Sequence, residues 1–217
     1  MVATDDTKLE ILHDHYKESF SYIRGWEEKR DRLFIFVIAM IGVLFLEIQY
    51  SDLFSSILGN IKLEFIELNI ALMPISVFLS LTWTYLFTII LKYCQQSILI
   101  ERQYNYLHHL EGKISKFFGG RNIYCRESRA YLNKYPLFSE LAWIYYGFLF
   151  PSIAILSVWL VIYLEWNKIS GPLYHLVYDS FLSIAVITCL IFYRFYPLGK
   201  KIVLKVKDRI NLAFRAK

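Results

Sequence analysis

Charge is scarce in this chain and unevenly spread. Only 20% of the 217 residues are Asp, Glu, Lys or Arg, and they sit in blocks separated by long uncharged runs. About 25% of the residues of an ordinary soluble domain are charged, so the composition argues against an ordinary soluble protein. Cysteine is also sparse. Cys94, Cys125 and Cys189 form no CxxC pair and have no metal-ligand spacing, which excludes a disulfide framework and a zinc module. There is no Walker loop, no GxSxG and no HExxH. His108 and His109 are adjacent, and adjacent helical residues do not face one another. Nothing in the residues points to an enzyme, a metal centre or a cofactor. The first 32 residues are polar and hold no apolar core followed by a small-residue cleavage site. No cleavable signal is expected, and the first apolar segment should act as an anchor.

What is abundant is apolar and aromatic: 56% hydrophobic residues, with 17 Tyr, 17 Phe and 5 Trp. A spanning helix needs about 20 mostly apolar residues. Four segments qualify: Leu33–Tyr50, Leu68–Leu91, Leu141–Leu164 and Leu173–Tyr193. Lys plus Arg counts along the chain, outside these spans, run 6, 1, 8, 1, 8. Under the positive-inside rule this alternation places both termini in the cytoplasm. Trp143, Tyr145 and Tyr146 near one end of the third span, and Tyr163 and Trp166 at the other, suit headgroup depth.

The expected fold is an all-α membrane protein, with four transmembrane helices and long cytosolic helical extensions that form a bundle. Its parts are an N-terminal cytosolic helix (1–32), spans one and two with a short outer loop (33–91), a cytosolic helical excursion (92–140), spans three and four (141–196), and a basic amphipathic tail (197–217). Leu9, Leu12, Tyr16, Phe20, Ile23 and Trp26 form an apolar stripe at helical spacing, and no proline separates it from span one. One helix is expected from about 8 to 50. Ile100, Tyr104, Leu107, Ile114 and Phe117 form a second stripe, which Gly119–Gly120 should end. The two stripes must be buried, either on each other or across subunits. A brief helix is expected at about 125–133, and Pro151 is a candidate kink in span three.

Two constellations carry candidate chemistry. The first is acidic and lies at the outer ends of the spans. Glu47, Asp52, Glu64, Glu67 and Asp179 face only Lys62 and Lys168, and His175 precedes Asp179 by one turn. A carboxylate at that depth needs protein or water beside it. Glu47, His175 and Asp179 are therefore the candidate pore or pore-mouth residues, with an interfacial Asp179 paired to His175 or a neighbouring helix as the alternative. The second is basic and aromatic. Arg102, Tyr106, Lys113, Lys116, Arg121, Arg126, Arg129 and Lys134 are candidate ligand contacts, since cations grip phosphates and rings stack on bases. Positive-inside bias alone would produce much of the same pattern.

The layout resembles a family. The N-terminal helix entering span one (LHDHYKESFSYIRGWEEKRDRLFIFVI), the excursion between spans two and three (YNYLHHLEGKIS, RESRAYLNKYPLFSELAWIYYGFLFP) and the basic tail look like small bacterial membrane effectors of antiphage systems. These include four-span effectors associated with nucleotidyltransferase signalling and the Hailong type. The resemblance implies an inner-membrane homo-oligomer, a tetramer favoured, among membrane lipids. It implies a channel or pore that depolarises an infected cell under control of a nucleotide or single-stranded oligonucleotide, with a soluble nucleotidyltransferase as partner. No family motif transfers a site residue. The alternative is a non-conducting, membrane-anchored scaffold that recruits a soluble partner.

Overall fold

The computed structural model describes residues 5–59, 74–120, 141, 144–169 and 172–215. Among them every regular element is helical: α1 (Asp5–Gln49), α2 (Ser51–Gly59), α3 (Ile75–Phe117), a π-helical turn (Tyr145–Leu149), α4 (Phe150–Lys168) and α5 (Leu173–Arg215). Three stretches are long and apolar enough to cross a membrane: Ile75–Phe117, Tyr145–Lys168 and Leu173–Tyr196. The chain divides into two compact units. Unit 1 comprises residues 1–36 and 92–144, and unit 2 comprises 37–91 and 145–217.

Unit 1 is built on an antiparallel pairing of the first part of α1 with the last part of α3. Both apolar stripes are used within the one chain. Tyr16, Ile23, Leu107, Leu110 and Ile114 are buried together, with Leu9, Leu12, Phe20 and Tyr104 packed against them. The direction is fixed by cross-pairs that run in opposite order. Tyr16 donates to Glu111 at 3.2 Å, Tyr104 donates to Glu27 at 2.9 Å, and the Phe34 and Tyr93 rings meet at 6.5 Å. Burial alone would lower the pKa of Arg30. The Asp31 carboxylate bonded to it at 2.8 and 3.0 Å overrides that and leaves the guanidinium above its usual value.

Gly119 and Gly120 stop α3 by a specific device. Both take positive φ, 64° and 81°. Gly120 N–H bonds back to the Ser115 carbonyl at 3.0 Å, and Gly119 N–H to that of Lys116 at 3.3 Å. This is the Schellman pattern, in which a left-handed residue turns two amides back onto otherwise free carbonyls.

In unit 2 the expected outer loop begins differently. Ser51–Gly59 is helical, and the Phe54 amide reaches back to Tyr50, so helix nearly continues past α1. Nothing in 51–59 blocks it, since neither proline nor glycine occurs before Gly59. The tail is also no separate helix, because α5 continues through Pro197 to Arg215. Near Pro151 the irregularity falls in the turn before it. Proline lacks the N–H that the Gly147 carbonyl would accept in a regular helix, and Tyr145–Leu149 widens into a π turn just there. The start of the second expected span (68–73), the rest of the outer loop (60–67) and the expected helix at 125–133 lie outside the described residues.

Candidate functional site

Four helices of unit 2 each bury a stripe: α3, α4, α5 and the last part of α1. On α3 it is Ser76, Leu79, Ser80, Trp83, Leu86 and Ile90. On α4 it is Ala154, Val158, Val161 and Glu165; on α5 it is Leu176, Asp179, Leu182, Ser183, Val186 and Leu190. The last part of α1 adds Leu44, Glu47 and Ile48. The spacing is helical throughout, so the carboxyls are buried because they occupy core positions. Glu47 is 2% exposed, Glu165 1% and Asp179 0%.

All three lie near helix ends. Glu47 is close to the end of α1, Glu165 close to the end of α4, and Asp179 in the second turn of α5. The first turns of α3 supply their donors. Thr82 Oγ1 donates to Glu47 Oε1 at 3.0 Å, Trp83 Nε1 to Glu165 Oε2 at 2.9 Å, and Ser80 Oγ to Asp179 Oδ2 at 3.1 Å. Ser80 Oγ also meets His175 Nδ1 at 3.0 Å. Ser80 and Trp83, one turn apart on α3, thus bring donors to Asp179 and Glu165. Around this cluster Lys168 reaches Gln49, Trp166 Nε1 donates to Ser180 at 3.0 Å, and Thr84 meets the Tyr178 hydroxyl at 2.9 Å. Among the described residues no ion pair neutralises any of the three carboxyls. Nor is any group of three or more His, Cys, Asp or Glu placed to hold a metal ion.

The expected acidic trio is thus placed in one unit. Glu47, His175 and Asp179 share the layer, but His175 and Asp179 meet through Ser80 of α3. Glu165 was not among the expected residues. Its signal was available: counting 154, 158, 161, 165 along α4 puts it on the buried stripe. The hydroxyls of α3 do not form one polar stripe. They divide their partners, and Thr84 also bonds back to the Ser80 carbonyl at 2.7 Å.

Of the expected ligand contacts, Arg102 and Tyr106 line an open groove in unit 1 with Gln103 and with His15, Glu18 and Tyr22 of α1. Lys113 and Lys116 are exposed elsewhere on α3. Arg121, Arg126, Arg129 and Lys134 lie outside the described residues.

Comparison of the chain with family models, curated proteins and solved structures finds no match.

Proposed function

We propose that the protein is a gated, cation-conducting membrane effector, working as a homo-oligomer with a tetramer favoured. The last part of α1 supplies a fourth span beside the three apolar helices, and both termini face the cytoplasm. The observation that carries this reading is the buried layer of Glu47, Glu165 and Asp179, which among the described residues faces hydroxyls, an indole and an imidazole but no lysine or arginine. Such carboxyls are expensive in a lipid environment and mark ion or proton paths when they occur. Rings of acidic side chains, one per subunit, attract cations. The unit 1 groove, with Arg102 beside Tyr22 and Tyr106, suits an anionic ligand with a flat ring, and a nucleotide or oligonucleotide is the class proposed to control the conductance. Control requires that the ligand bind the open and closed states with different affinity. On the resemblance of the layout, the consequence is depolarisation of an infected cell.

The test is expression in bacteria loaded with a potential-sensitive dye. Expression should depolarise the cells, and Asp179→Asn should remove most of that effect while the protein remains in the membrane. Normal potential with abundant membrane-inserted protein, with or without added nucleotides, would favour the non-conducting scaffold.

A further inference from the structure

Two hydrogen bonds link three side chains of unit 2 in a row. His175 Nδ1 on α5 lies 3.0 Å from Ser80 Oγ on α3, and Ser80 Oγ donates to Asp179 Oδ2 at 3.1 Å. His175 and Asp179 are one turn apart on α5, so one serine of the facing helix reaches both. Burial deepens along the row: His175 is half-buried, Ser80 is buried and Asp179 is fully enclosed. The order is not that of a hydrolytic triad, in which the imidazole stands between serine and carboxylate and takes the serine proton. Here the serine stands in the middle, and a hydroxyl both accepts and donates. The inner end is unfinished. Asp179 Oδ1 is buried and faces no donor among the described residues. The Ser76 hydroxyl, one turn before Ser80 on the same face of α3, is also buried and unpartnered there. The neighbouring titratable groups have other partners. Glu47 of α1 accepts from Thr82 through Oε1, its Oε2 being unpartnered; Glu165 of α4 accepts from Trp83; and Tyr178 of α5 meets Thr84. Lys168 of α4 reaches Gln49, and the Tyr174 ring centroid lies 4.4 Å from that of the imidazole. Among the described residues no lysine or arginine pairs with His175 or Asp179.

We infer that His175, Ser80 and Asp179 form a relay that passes a proton from the half-buried imidazole to the buried carboxylate. In the transfer the Nδ1–H bond of the imidazolium breaks and an O–H bond forms on Ser80 Oγ. The original serine O–H bond breaks and an O–H bond forms on Asp179 Oδ2. A positive imidazolium and a negative carboxylate become two neutral groups, and the serine ends with one hydrogen as it began. The charge is removed where lipid surroundings make it most costly. The inference rests on the membrane-embedded, conducting reading of unit 2 and deepens it by naming the proton as the cation taken up.

The experiment is time-resolved infrared spectroscopy on the full chain in lipid nanodiscs, with a caged acid that releases protons in a light flash. A protonated-carboxyl C=O band, assigned to Asp179 by its loss in Asp179→Asn, should rise after the flash. His175→Gln and Ser80→Ala should slow that rise by about 10²-fold, the low end of what a positioned proton donor contributes. Ser80→Thr keeps a hydroxyl and should restore most of the rate. Absence of a rising carboxyl band from the unaltered protein overturns the inference without any variant having to fold. So does a rise as fast in Ser80→Ala as in the unaltered protein, the result expected of a serine that only fills space. Nanodiscs sustain no membrane potential, so the band does not depend on conduction. The expected kinetics without depolarisation in dye-loaded cells would remove the conductance reading and leave the relay. Depolarisation with no carboxyl band gives the converse.

Discussion

In unit 1 the buried stripe is Tyr16, Ile23, Leu107, Leu110 and Ile114, while Lys17, Glu18, Arg24, Lys113 and Lys116 are exposed. In unit 2 the outward residues include Leu156, Trp159, Phe181, Ile184 and Phe192, the last 71% exposed, while Glu47, Glu165 and Asp179 are almost fully buried. The two units use the same helical period with opposite contents. Unit 1 is arranged for water, with apolar groups removed from it. Unit 2 presents apolar groups to its surroundings and keeps hydrogen-bonding groups inside, the arrangement demanded where the solvent is lipid and backbone and side-chain polar groups must be satisfied internally. The same α1 and α3 serve both, so the change of rule occurs along single helices.

The contrast can be broken from either side. The largest effect is expected from Leu107→Ala in the centre of the unit 1 stripe. It should cost about 2–5 kcal/mol, the usual range for emptying a buried leucine site, read as an earlier loss of helical circular dichroism on heating. Ile184→Lys tests the other side. At an exposed site well inside α5, a lysine should cost about 2.5–3.5 kcal/mol of membrane insertion, measured as protein released by alkaline extraction. If that variant inserts as well as the unaltered chain, the face is not in lipid. Trp83→Phe removes the indole donor from Glu165 while keeping much of the packing. It should cost about 1–3 kcal/mol, the penalty for leaving a buried acceptor without its bond, seen as a lower melting temperature in detergent. Gly119→Ala is the mildest. A methyl group there would meet nothing within 4 Å, so only the left-handed backbone is penalised, by about 1 kcal/mol; the fraying should be confined to the end of α3 in hydrogen exchange.

Much of this arrangement was legible in the residues. The stripes on α1 and α3 have uninterrupted helical spacing, and no proline lies between Leu9 and Gln49, so a single long helix follows from the pattern alone. Glu47 and Asp179 stand out because they interrupt apolar runs. Glu165 does not, since it sits beside polar Asn167 and Lys168 and reads as the start of a loop. Only the continued helix as far as Lys168 returns it to the buried face. Ser80 was legible as a hydroxyl but not as a bridge, because its two partners are 95 and 99 residues away in the chain. The Ser51–Gly59 segment reads as outer loop because it lies between the first two apolar runs, whereas helix from α1 runs on almost through it.

Ser80 has one hydroxyl proton and two claimants. When that proton points to Asp179 Oδ2, His175 Nδ1 must bring a hydrogen of its own to keep its contact with Ser80. When Nδ1 is bare, it takes the serine proton, and Asp179 loses its donor from α3. The two contacts thus obey an exclusive choice set by a single torsion, the rotation of one O–H bond. A half-buried ring on the first turn of α5 can alter the surroundings of a fully buried carboxyl one turn on, without a shift of either helix.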